Sequence, residues 1–184
     1  MDEPKPKEIP AKDTEEPKKP PHTLPNTAEV FDHRGDLTLT VGRNKVAFRV
    51  CSRSLARLSG VWDAMLYGPL AEGKTQHTSE KWVVAHPDDE PEGLRILLLG
   101  IHGRLTAFPP FLTQLTVFAL LVICDKYDMV EFLKPFWHRW VQDLPSCSHP
   151  KDLIQQLWMA YKLGDPESYR SKLESFLSLL ERIS

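Results

Sequence analysis

The segment Gly68-Pro69-Leu70-Ala71-Glu72-Gly73-Lys74-Thr75 fits GxxxxGK[ST], the spacing at which a glycine-rich loop cradles phosphates under a lysine. Further along, Leu120-Leu121-Val122-Ile123-Cys124-Asp125 has the form of an apolar strand ending in an aspartate that would help hold magnesium. Together they would make a nucleotide hydrolase. The flanks have the wrong order for that chemistry. A phosphate loop runs from a strand into a helix N-terminus, whose amides and dipole receive the anion. Here Val61, Trp62, Met65 and Leu66 have helical spacing ahead of the loop, and the polar residues 76–81 lead into a strand. Glu72 would also bring an anionic side chain close to the phosphates, and residues 115–123 read as a helix face. A P-loop enzyme therefore ranks behind the binding functions below.

Other catalytic signatures are missing from the chain. It has no GxSxG elbow, HExxH pair or GxGxxG loop. No histidine lies four residues from another, and no cysteine stands at ligand spacing from one. The expectation is no catalytic residue, no metal and no cofactor. His102 and His138 fall in helical stretches, where a histidine usually serves structure or surface. Cys51 and Cys124 read as small packed hydrophobes, and Cys147, between Ser146 and Ser148, as an exposed thiol.

Charge and composition narrow the classes further. The 184 residues carry a net charge of −2, and residues 1–29 account for all of it with five Lys against seven acidic residues. Seven of the 16 prolines fall in the first 25 residues. With no aromatic side chain and little to bury, residues 1–29 are expected to be a disordered tail. A neutral body argues against a nucleic-acid partner, which calls for a basic face. The longest apolar run has eight residues, Val117 through Cys124, too short for a membrane span. The N-terminus lacks the apolar core of a secretory signal, and three cysteines without a CxxC suit a reducing compartment. The location expected is intracellular, in cytoplasm or nucleus.

Those residues need elements to hold them. In residues 36–41, Leu37, Leu39 and Val41 alternate with Thr38 and Thr40, the period of a half-buried strand. A turn at Gly42-Arg43-Asn44 and a second alternation at Val46, Phe48 and Val50 make a β-hairpin. Two short helices, broken at Ser59-Gly60, follow over residues 52–67, and a third strand over residues 82–85. The rest is helical. Leu94, Leu97, Leu98 and Ile101 mark one helix, and Leu115, Ala119, Val122 and Ile123 a second. Leu133, Phe136, Trp137 and Trp140 mark a third, in which Pro135 must sit in the first turn or kink the helix. Leu153, Leu157 and Tyr161 mark a fourth, closed by Gly164. Tyr169, Leu173, Phe176, Leu177 and Leu180 stripe a fifth, opened by Asp165-Pro166. Strands first and helices after make an α+β domain. The aromatic residues Phe132, Phe136, Trp137, Trp140 and Trp158 read as core packing between helices, with a partner groove as the alternative. The apolar, proline-stiffened residues 105–112 either fold back as an edge strand or present a contact surface.

Taken in order, these motifs resemble a BTB/POZ domain. GDLTLTVG, KVAFRVCSRSLARLSGVWDAML and GPLAEG are similar to that family's opening hairpin, helix pair and acidic loop, with Phe48, Val50, Leu55, Ser59, Trp62, Met65, Leu66 and Glu72 in register. EGLRILLLGIHG and LLVICDKYDM resemble its next two helices. VEFLKPFWHRW and LWMAYKLGDPESYRSKLESFL are similar to the extension of BTB proteins in filamentous fungi. Cys51 stands where the family phrase has His, and the loop after Ile101 has no apolar-x-Glu phrase of the kind associated with cullin binding.

The resemblance implies a three-stranded sheet with a helix cluster over residues 30–142 and a helical extension over 143–184 packed on it. It implies a non-enzymatic protein-interaction module that self-associates as a homodimer or docks a protein partner. The alternative it implies is a substrate adaptor of a cullin-type ubiquitin ligase. Leu105, Phe108 and Phe111 are the expected partner-binding residues.

Overall fold

The computed structural model describes residues 28–69, 82–142, 144 and 149–183. The tail over residues 1–27, residues 70–75 of GPLAEGKT and Cys147 lie outside them.

Four strands form one sheet: β1 Glu29–Val30, β2 Leu37–Val41, β3 Val46–Val50 and β4 Trp82–His86, in the order β1-β3-β2-β4. Leu37, Leu39 and Val41 of β2 are buried while the threonines between them are half-exposed. β2 and β3 pair antiparallel, with Leu39 opposite Phe48, and their connection turns through Gly42 and Lys45 at positive φ. β4 lies parallel to β2 on the other side, Leu37 opposite Trp82. A parallel neighbour requires a crossover, and α1 Ser52–Leu58 with α2 Gly60–Tyr67 begin it.

Three strands were expected and the sheet has four. β1 is two residues long and pairs parallel to β3 at Glu29 and Val30. Two residues carry no alternation to read, so the strand exists only through its partner edge. Its Glu29 carboxylate accepts from Arg95 Nε at 3.0 Å, and Phe31, directly after it, meets Phe48 edge-on at 5.5 Å.

Five more helices complete the described chain: α3 Pro91–Ile101, α4 Gln114–Lys126, α5 Lys134–Gln142, α6 Pro150–Leu163 and α7 Pro166–Ile183. Pro91 and Pro166 each open a helix, where the missing N–H is no loss. α3 packs on α4, α4 on α6 and α6 on α7, so the helices step outward from the sheet. Burial falls along that series. α3 buries Leu94 and all of residues 96–101, whereas no described side chain of α7 is fully buried.

Two helix faces differ from the expected ones. α4 buries Val117, Leu120, Leu121, Ile123 and Cys124, and turns Leu115 and Val122 outward. Its apolar residues run almost all the way round, so periodicity alone could not choose the inner face. α6 buries Leu153, Gln156, Met159 and Ala160 and leaves Tyr161 exposed. Gln156 faces inward because its amide donates to Gln114 Oε1 at 2.7 Å, which a hydropathy pattern scores as a surface position. α3 buries the expected Leu94, Leu97, Leu98 and Ile101 together with Ile96 and Leu99, and α5 buries Trp137 and Trp140 of its expected stripe.

Among the described residues no helix is long and apolar enough to cross a membrane.

Candidate functional site

The loop between α3 and α4 is held at several points. It begins with a 3-10 turn, Leu105–Ala107, after Gly103 at positive φ. The Phe108 ring then turns inward, edge-on to Phe136 at 4.9 Å and to Trp140 at 5.3 Å. Trp140 Nε1 donates to the Pro109 carbonyl at 3.1 Å, satisfying a buried indole and an orphan backbone oxygen together. Leu112 packs against the core, and Thr113 Oγ1 accepts from Thr116 N at 3.2 Å to cap α4.

What remains is displayed. Leu105 is 48% exposed, Phe111 71% and Leu115, in the first turn of α4, 69%. Of the three expected partner-binding residues, Leu105 and Phe111 therefore face solvent. Phe108 does not, because its ring is the peg that fixes the loop. Neither expected arrangement of the loop describes it fully: no described residue in it is a strand, and one of its aromatic rings is anchored inward. Leu115 is displayed as well, four residues beyond Phe111, although its apolar type on a helix signals a core position.

The titratable groups are arranged differently, in bonds that tie elements together. The Tyr127 hydroxyl donates to Asp89 Oδ2 and the Lys126 ammonium to Asp89 Oδ1, each at 2.5 Å. His86 Nδ1 lies 3.1 Å from the same hydroxyl. The hydroxyl proton is committed to Asp89, so His86 completes the pair as an Nδ1–H donor. Burial, and then the neighbouring Asp89 carboxylate, push the Tyr127 hydroxyl far above its ordinary range, which keeps it protonated. Trp62 stacks on the Tyr127 ring at 4.3 Å and covers the cluster. Ser59 Oγ accepts from Trp62 N and donates to the Tyr127 carbonyl at 2.6 Å. Spacing could not reveal this set, because its members come from α2, β4, the turn before α3 and the end of α4.

A second set surrounds Asp36. Its carboxylate accepts from Ser52 N at 2.8 Å and Ser52 Oγ at 2.6 Å, and Tyr67 OH lies 2.6 Å from that Oγ. A serine and a tyrosine thus close the hydrogen bonds around this carboxylate. His102 holds the end of α3 to the hairpin. Its Nε2 accepts from Cys51 N at 3.1 Å, which places the proton on Nδ1, 3.0 Å from the Leu98 carbonyl. Burial lowers its basicity. Burial likewise pushes the Cys124 thiol far up, leaving it protonated.

The phosphate-loop reading meets the same flanks in three dimensions. Gly68 follows helix α2, β4 is the next described element, and residues 115–123 lie inside helix α4. Among the described residues no group of three or more His, Cys, Asp or Glu side chains is placed to hold a metal ion.

Compared with known proteins, the chain matches no family model and no curated protein.

Proposed function

We propose that this chain is a non-enzymatic protein-interaction module of the BTB/POZ type, docking a protein partner through Leu105, Phe111 and Leu115. The observation that carries the reading is the loop itself: apolar side chains held out to solvent on a backbone pinned by Phe108, Pro109 and Leu112. A surface already ordered loses little further entropy on binding. Large apolar side chains at the centre of such a patch are where binding energy concentrates. The family assignment rests on the phrase from Phe48 to Leu66. Its Phe48, Val50, Leu55, Ser59, Trp62 and Leu66 are all buried across β3, α1 and α2, as a fold-specifying phrase requires.

Capture of partners from a cell lysate, read by mass spectrometry, tests the docking surface. Phe111→Asp with Leu105→Asp is expected to reduce capture of the specific partner by at least about tenfold. Both side chains are exposed, so thermal stability should change by less than ~0.5 kcal/mol. Phe108→Ala, by contrast, is expected to cost about 3 kcal/mol because it empties a packed site. Undiminished capture by the folded double variant overturns the docking surface. Capture of a cullin through the same residues would identify the partner and turn the module into a ligase adaptor.

A further inference from the structure

The outermost helices carry a second apolar surface, on the far side of α6 from the sheet. Tyr161 of α6 is 68% exposed, and Leu177 of α7 50%, with Tyr169 and Leu173 of α7 less so. Between the two helices lies an open groove of about 660 Å³ lined by Ala160, Tyr161, Tyr169 and Leu173, with the charged Asp165 and Arg170 also on its wall. Its floor is open at the corner: a Cβ placed on Gly164 would meet no atom within 4 Å. A helix striped in this way and covered on one side only buries its remaining face against another helix.

The charges along α7 say which helix. Positions eleven apart return to the same face of an α-helix to within about 20°. Arg170 and Glu181 therefore lie along one edge of the stripe, one near each end, and both are exposed. Reversing the helix exchanges those two charges and keeps the spacing of the leucines between them. We infer that α7 with the α6–α7 groove is a homodimer interface, in which two copies pack their α7 helices antiparallel about a two-fold axis on the Leu173–Leu177 face, midway between those two leucines along the helix. Leu173 then meets the partner's Leu177, and Arg170 lies beside the partner's Glu181, at both ends of the contact. A parallel two-fold arrangement would put the two Arg170 side chains on opposite flanks of the contact, with neither Glu181 in reach. Two such helix pairs make a four-helix layer, and the contact is isologous and closed. The interface is separate from the loop at Phe111 and does not depend on the docking proposed there.

Light scattering coupled to size exclusion on the full chain, from about 1 to 100 μM, tests it. The expected mass is twice the 21.1 kDa chain. Leu177→Glu should give a folded monomer, with helicity by circular dichroism unchanged. Arg170→Glu should weaken the dimer by about tenfold, and Arg170→Glu combined with Glu181→Arg should restore it. A wild-type monomer throughout that range overturns the proposal, as does a dimer that survives Leu177→Glu or one that Phe111→Asp removes. Failure of the charge exchange to restore association overturns the antiparallel pairing.

Discussion

Phe108 and Phe111 lie three residues apart in one loop and have opposite fates. One ring sits between Phe136 and Trp140, and the other stands in solvent. Residue type does not separate them; the position of α5 behind the loop does. His102 is a similar case. A histidine in a helical stretch carries no sign of its partners until Cys51 N is found at its Nε2. Its lowered basicity has a consequence for stability. Below its ordinary value of 6.5 the unfolded imidazole takes up a proton that the folded one resists. The unfolded state then binds more protons, so this histidine lowers stability as pH falls through that range, until the folded ring protonates too. Urea titrations near pH 7.5 and pH 5.5 should show the gap between the two conditions narrowing in His102→Gln.

Helices α3 and α4 approach closely because of Gly93. A Cβ there would stand 2.9 Å from Leu120 N and 3.0 Å from the Ala119 carbonyl carbon, both backbone atoms that no rotamer change can move. Gly93→Ala is therefore expected to push the helices apart and destabilise the fold by about 2–3 kcal/mol. Chemical denaturation measures it, and a loss under ~0.5 kcal/mol would show that the helices separate freely. The glycine was visible in the chain, but a glycine inside a helix signals close approach without naming what approaches. Helix existence was readable throughout from spacing, prolines and the glycine at 164. The helix face was readable on α5, where polar residues mark the outside, while α3 is buried nearly all round. On α4 it was not, since Leu115, Phe118 and Val122 are as apolar as the residues that helix buries.

At the scale of the whole molecule, the Tyr127 cluster joins the sheet to the helices. Through Asp89, His86, Lys126 and Ser59 it ties α2, the end of β4, the turn before α3 and the end of α4 into one unit. Removing the hydroxyl leaves a buried carboxylate with one donor fewer. Tyr127→Phe is expected to lower global stability by about 2 kcal/mol with the denaturant slope unchanged, because the cluster belongs to the cooperative core. A change in slope, or two separate transitions, would mean that the cluster fastens one region only. The outward series from sheet to α7 has the opposite character, each helix less buried than the one before. That gradient leaves α7 with a face for a second copy.

The sequence alone was enough for an α+β order of elements, the hairpin, the break at Ser59-Gly60 and the cap at Gly164. Each of these is set by backbone sterics or by a local hydropathy period. Tertiary structure decided the fourth strand, the inner faces of α4 and α6, the inward turn of Phe108, and the bonds around Asp36, Asp89 and His102. Those features are contacts between residues far apart in the chain. Which apolar side chain is buried and which is displayed depends on what packs behind it, and a local pattern carries no record of that neighbour.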